Sequence, residues 1–192
     1  MLAHDLHSRI HRFSVAQFHR MIEAGCFDDG DRVELIDGEM RDMTPIGPPH
    51  QGTTDSLTMR FAAALAGRAI VRVQGPVVLD DGTELYPDLS VLQQREDFYR
   101  SANPTGDDVL LVIEVADSSL ALDQGVKLAK YAHAGIRRYW VVDLRHRTLH
   151  DYRDPDRSQG HYRQPQSLTG GSLDIDLAGV RMTLPITSLF AD

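Results

Sequence analysis

Two carboxylates at the ends of neighbouring β-type runs, with a lysine on the helix pattern that follows, are the residues of this chain best placed to do chemistry. Asp88 heads a short apolar run in Tyr86-Pro87-Asp88-Leu89-Ser90-Val91-Leu92. Glu114 stands near the end of Val109-Leu110-Leu111-Val112-Ile113-Glu114-Val115. An ionised carboxylate inside such a run is costly unless it is paired or bound to metal. Adjacent strands lie about 4.8 Å apart, so carboxylates on neighbouring strands can share one cation. Mg²⁺ takes oxygen ligands and keeps several waters; Mn²⁺ suits the same donors. The backbone carbonyl of Val115 would add a further oxygen. An acid pair on a divalent ion, with a cation beside it, is the minimum kit for metal-assisted phosphodiester hydrolysis.

Lys127 is the cation. In a helix predicted over residues 120–134, Leu122, Val126, Ala129 and Ala132 define the buried stripe. Lys127 lies about 100° from Val126 in projection, flanking that stripe, from where its amine can lean back to the strand ends. An exposed lysine paired with Asp123 four residues earlier is the simpler alternative. Glu34, on a strand pattern, reads either as an acid supporting the site or as a solvent-facing strand residue. His50, expected in a loop, reads either as a contact to metal or phosphate or as an ordinary loop histidine. Ser118 and Ser119 suit helix capping better than nucleophilic attack. Cys26 has no metal-ligand spacing around it.

These residues need strands and helices to bring them together. Ser14-Val15-Ala16-Gln17 has the form of a capping box, and Val15, Phe18, Met21 and Ile22 follow at helical spacing up to Gly25. Residues 32–43 read as a hairpin, with Asp37-Gly38 suited to the positive φ angles of a two-residue turn. Residues 44–49 read as a Pro/Gly loop and residues 52–68 as a helix carrying Leu57, Phe61, Ala64 and Leu65 inward. Residues 70–79 are extended, with a break at Gly75-Pro76. Strands follow at 87–92 and 109–115, then the helix over 120–134 ending at Gly135, a strand at 138–143, and its hairpin partner at 148–152. The patterns weaken after Asp154-Pro155, where residues 173–184 suggest short edge strands and 185–190 a terminal packing segment. The central order αβββαβ predicts an α/β fold with helices flanking a mixed sheet. One domain over residues 1–192 is expected: a helix and hairpin at 13–43, a core at about 53–143 and a C-terminal β extension at 148–190.

The bulk numbers bound the partners. The chain has 192 residues, ordinary globular proportions of 42% hydrophobic and 25% charged residues, and a single cysteine. The cysteine count excludes an intramolecular disulfide and fits a reducing compartment. No apolar run approaches the roughly 20 residues that span a bilayer, and the first residues lack a signal-peptide layout, so a cytoplasmic protein without membrane attachment is expected. The net charge of −8 disfavours a protein that simply coats nucleic acid. Residues 127–163 are nonetheless basic, with nine Lys/Arg against four Asp. They form either a phosphate-contacting face or a solvated arginine-rich surface.

The chain resembles a known family at these same segments. Val33-Glu34-Leu35-Ile36-Asp37-Gly38-Glu39, Pro48-Pro49-His50-Gln51, Tyr86 to Val91, Val112 to Ser119, Lys127 to Tyr131 and Ala134 to Asp143 are similar to the Uma-two family of restriction-endonuclease-like proteins, in the PD-(D/E)XK nuclease superfamily. The resemblance implies a restriction-endonuclease-like core, Mg²⁺-dependent cleavage of DNA and a homodimer. It implies metal-binding roles for Asp88 and Glu114 and carries Glu34 and His50 as matching positions. The superfamily pattern places lysine two residues after the second acid. That position is Ala116 here, and the matching lysine is Lys127 on the helix. A nuclease-fold module for binding or assembly, with weak or absent cleavage, is the alternative, because a fold does not dictate a function.

Overall fold

The computed structural model describes residues 10–190. Helix α1 (Val15–Glu23) opens on the expected capping box. The Ser14 hydroxyl accepts from the Gln17 amide, and the Gln17 side chain accepts from the Ser14 amide. Strands β1 (Val33–Ile36) and β2 (Glu39–Asp42) form the predicted hairpin. Its turn residues Asp37 and Gly38 both have positive φ, 52° and 75°, as that turn type requires. Helix α2 (Pro48–Ala64) begins earlier than the sequence pattern suggests, with proline at its first positions. Proline suits the first turn, where its missing N–H has no intrahelical partner to lose. His50 therefore lies in the first turn of a helix and not in a loop.

Strands β3 (Ala69–Val73), β4 (Val77–Asp80) and β5 (Thr83–Leu85) follow, then β6 (Leu89–Gln93) and β7 (Val109–Ala116). The next helical segment has three parts: α3 (Leu120–Leu122), a π-helical turn at Asp123–Lys127, and α4 (Leu128–Ala134). It is followed by β8 (Arg138–Asp143), β9 (Thr148–Asp156), β10 (His161–Leu168), β11 (Ser172–Leu177) and β12 (Val180–Pro185).

The central sheet has six strands in the order β10-β9-β8-β7-β6-β3. Only the β7–β8 pair is parallel; the others are antiparallel. The α3–α4 segment is the crossover that a parallel pair demands. Strands β2-β1-β5-β4 make a second sheet and β11-β12 a separate hairpin. The expected mixed α/β architecture is present. Two details differ from the sequence reading. A β4–β5 insertion joins the N-terminal hairpin, and β10 extends the central sheet beyond β9, the expected hairpin partner of β8. Pro155 obscures the end of β9 and Pro165 obscures β10, and the alternation on β10 leaves one of its eight residues buried.

Strand β7 explains the layering. Leu111, Ile113 and Val115 face a core with Leu57 and Phe61 of α2, with Leu65 that caps it, and with β11–β12. Val112 faces a second core with Tyr131 and Ala132 of α4. A strand covered on both faces reads as a continuous apolar run, which is how β7 reads. Asp151 pins β8 to β9: Arg138 donates two bonds of 2.8 Å to it and the Trp140 indole donates one of 2.7 Å.

Helix α4 ends at Gly135, in the left-handed region at φ 79°. A Cβ there would also meet the Arg157 guanidinium at 2.1 Å. Gly135→Ala is expected to destabilise the protein by at least about 1–2 kcal/mol, the cost of left-handed backbone for an L-residue. Chemical denaturation checks this, and an unchanged midpoint would refute it.

Candidate active site

In the antiparallel β6–β7 register, Leu89 lies opposite Ile113 and Ser90 opposite Val112. One step further along the same register brings Asp88 across from Glu114. The bonds follow that placement: the Asp88 amide donates to Glu114 Oε2 at 3.3 Å, and the Val115 amide donates to Asp88 Oδ2 at 2.8 Å. Both carboxylates therefore stand at one end of the sheet, and both line one cavity of about 50 Å³. The cavity has room for a bare ion or a water or two.

The π-helical turn brings in the lysine. Asp123, Lys127 and Tyr131 are buried; of the stripe expected from regular helical spacing Ala132 is buried, but Val126 is turned out and 39% exposed. An extra residue in the turn rotates the remainder of the helix, so a polar i, i+4, i+8 row faces inward. Lys127 is only 5% exposed. Its Nζ lies 3.2 Å from Glu114 Oε1 and 3.1 Å from Glu34 Oε2. The Tyr131 hydroxyl donates to Glu114 Oε1 at 2.7 Å. Asp123 is not the partner of Lys127; its Oδ2 accepts from the Ser119 hydroxyl at 2.6 Å.

The two accessory positions also meet here. Glu34 is 2% exposed, not solvent-facing, because the N-terminal hairpin folds over α3–α4. Lys130 ties the same hairpin down through an ion pair to Asp37. His50 Nε2 lies 2.9 Å from Asp88 Oδ2. An ionised carboxylate only accepts, so Nε2 carries the hydrogen. Sequence reasoning missed Arg32, Asp123 and Tyr131 at this site. Arg32, just before β1, and Glu34 share a face by strand alternation, and both line the cavity. That alternation was readable; the inward turn of Asp123 and Tyr131 was not.

Charge sets the chemistry. Glu34, Asp42, Asp88, Glu114 and Asp123 line the cavity with two permanently basic side chains, Arg32 and Lys127, leaving an excess of acid in a small space. Burial pushes the Glu114 carboxyl up to about 8, against the pull of Lys127, with Asp123, Asp88 and Glu34 adding to the rise. Burial likewise pushes Asp123 up to about 6, again opposed by Lys127. Burial alone would lower the Lys127 ammonium, but Glu114, Glu34 and Asp123 outweigh it and hold its pKa above the ordinary lysine value. The lysine stays charged and the acids compete for protons.

A group with a raised folded pKa binds more protons folded than unfolded, so its contribution is complete at low pH and lost as pH rises. For Glu114 and Asp123 the loss spans the ordinary carboxylate range up to about 8. Metal-free protein is therefore expected to melt at a lower temperature at pH 8 than at pH 5.5. Melting curves in chelator at the two values test this, and a higher midpoint at pH 8 would contradict it.

The donor set fits a hard divalent ion. It offers carboxylate oxygens and an excess of negative charge, and His50 Nδ1 is buried without a hydrogen-bond partner. No group of three or more His, Cys, Asp or Glu is assembled as a metal cage among the described residues.

The basic segment after Lys127 is largely neutralised within the protein. Arg138 and Arg153 pair with Asp151, Arg145 with Asp117, Arg157 with Asp107, and Arg163 with Asp154 and Asp156.

A mixed sheet between helical layers, with an acid pair at one end and a lysine from the crossover helix, has the features of a nuclease fold. A crystal structure of a putative nuclease from Anabaena variabilis superposes with a TM-score of 0.68, covering 93% of this chain and 97% of that one at 14% identity. The profile of the Uma2 family, described as "Putative restriction endonuclease", matches residues 15–186. The chain belongs to that family. No curated protein matches its sequence. Among the described residues no helix is long and apolar enough to cross a membrane.

Proposed function

We propose that this protein is a metal-dependent endonuclease that hydrolyses DNA phosphodiester bonds. The observation that carries the reading is the contact between Lys127 and Glu114. The lysine that the superfamily pattern would place at position 116 arrives from the crossover helix, with its Nζ 3.2 Å from Glu114 Oε1. Asp88, Glu114 and the Val115 carbonyl would hold Mg²⁺ or Mn²⁺. The Val115 N–H points at Asp88, and in a strand the carbonyl of a residue leaves on the same side as its N–H. The bound ion would lower the pKa of a water and neutralise charge on the scissile phosphate.

The protein's own groups do the rest. The Lys127 ammonium stabilises the negative charge that develops on the phosphate oxygens. Glu34 and Tyr131 hold Lys127 and Glu114 in place. The His50 Nε2–H orients Asp88. Digestion of plasmid and single-stranded DNA with Mg²⁺ or Mn²⁺, comparing wild type with Asp88→Ala, tests the reading. Intact DNA in every wild-type reaction would refute it.

One observation favours a non-catalytic module. Both Glu114 oxygens already accept hydrogen bonds from protein groups. Calorimetric titration with Mn²⁺ separates the two readings, since a module for binding or assembly has no need of the ion.

The family resemblance also supports a homodimer, and two-fold dimers are the commonest oligomers. Edge strands β3 and β10 of the central sheet leave ladder groups for pairing or cover. Light scattering at micromolar concentration is expected to return twice the chain mass of 21.5 kDa; a monomer would refute the dimer.

A further inference from the structure

We propose that a cavity beside the catalytic one takes a single unstacked nucleobase of the DNA strand being cut, with preference for a base that carries an exocyclic amine. This rests on the nuclease reading and specifies its substrate.

The cavity has a volume of about 450 Å³ and lies between α1, the start of β1 and the segment before β6. That volume is in the range of small-molecule sites. Phe18, Phe27 and Tyr86 supply its apolar and aromatic wall. Phe18 and Phe27 meet edge to face, with ring centroids 5.8 Å apart. An unstacked base is held in general between aromatic or apolar side chains and read by hydrogen bonds to its edge.

Two observations tie this cavity to the catalytic one. Arg32 and Met43 line both. Gln74, on the wall of the larger cavity, places its Nε2 3.5 Å from Asp88 Oδ1. A strand with its phosphate at Asp88 and Glu114 would have a neighbouring base within reach. Arg32 is half-buried and has no ion-pair or hydrogen-bond partner for its guanidinium among the described residues. It stands at the boundary, where a backbone phosphate would pass, and a guanidinium suits phosphate oxygens.

The charge at the rim says which part of the nucleotide enters. The exposed Asp28 and Asp29 carboxylates have no partner among the described residues. Carboxylates repel phosphate, so the cavity is unsuited to the backbone. They accept hydrogen bonds and donate none, so they favour bases with an amino group, as in cytosine and adenine, over thymine.

The test is fluorescence anisotropy with wild-type protein in chelator, so that nothing is cut. The probes are labelled single-stranded dodecamers of dC, of dT, and of an abasic backbone. Oligo-dC is expected to bind several-fold tighter than oligo-dT, and the abasic strand weakest, by roughly tenfold or more, since stacking of a base on an aromatic side chain has that order of effect. Asp28→Asn with Asp29→Asn should abolish the preference for dC. The ratio is the readout, because removing two negative charges raises affinity for every polyanion. Phe27→Ala should cost roughly tenfold on oligo-dC and little on the abasic strand. If Phe27→Ala unfolds the protein, the exposed double variant still decides. Equal affinity for dC, dT and abasic strands, or a ratio unmoved by the double variant, would overturn the base site. Cleavage is scored separately with Mg²⁺: base-dependent binding without any cleavage would overturn the nuclease reading instead.

Discussion

Lys127→Met is expected to lower the rate of DNA cleavage by roughly 10²-fold or more, the scale of removing one electrostatic partner of a transition state. Methionine keeps much of the stem and its packing, so the change is mainly the loss of the ammonium. Metal affinity should hold or rise, because Lys127 otherwise competes with the ion for Glu114 Oε1 at 3.2 Å. Stability should fall. Removing one partner of a buried ion pair costs about 3–5 kcal/mol, reduced here when Glu114 or Glu34 takes up a proton instead. The loss of melting temperature should therefore be larger at pH 8 than at pH 6. Lys130→Ala, by contrast, only frees Asp37 in the hairpin turn and should cut close to the wild-type rate. A Lys127→Met protein that cleaves like wild type would show that the amine merely neutralises the two acids.

Asp88→Asn should be still more damaging to activity while leaving the fold intact. Loss of a metal-binding carboxylate removes several kcal/mol of transition-state stabilisation, or roughly 10²–10⁴-fold in rate. The asparagine oxygen can still accept from the Val115 amide and from His50, which both reach the same oxygen of Asp88. One negative charge also leaves a crowded, acid-rich space. The metal-free variant should therefore melt at or above the wild-type temperature, and Mn²⁺ should no longer raise it. A variant that keeps both the metal-induced rise and cleavage would remove Asp88 from the site.

The ambiguous residues of the sequence were settled by position in the fold. Glu34 on a short strand could face water or protein; the hairpin's closure over α3–α4 buries it against Lys127. His50 looked like a loop residue because two prolines precede it, yet prolines are well suited to the first helical turn. The arginine-rich segment reads either as a phosphate-contacting face or as a solvated surface, and five of its arginines are paired with aspartates. One-dimensional charge counting cannot see such pairs.

The sequence by itself determined the alternation of elements, because hydrophobic period and turn chemistry are local. The Ser14–Gln17 cap, the Asp37-Gly38 turn and the doubly covered run of β7 are all written in neighbouring residues. It also determined the acid pair, since a glutamate inside an apolar run needs a partner and Asp88 heads the preceding strand. Only the tertiary structure decided the phase of the helix at Lys127. A π-helical turn is a one-residue departure from regular spacing, and it forms where burial of Asp123, Lys127 and Tyr131 against Glu114 outweighs the exposure of Val126. That balance depends on side chains from β1, β7 and the helix at once, and no single stretch of sequence contains them.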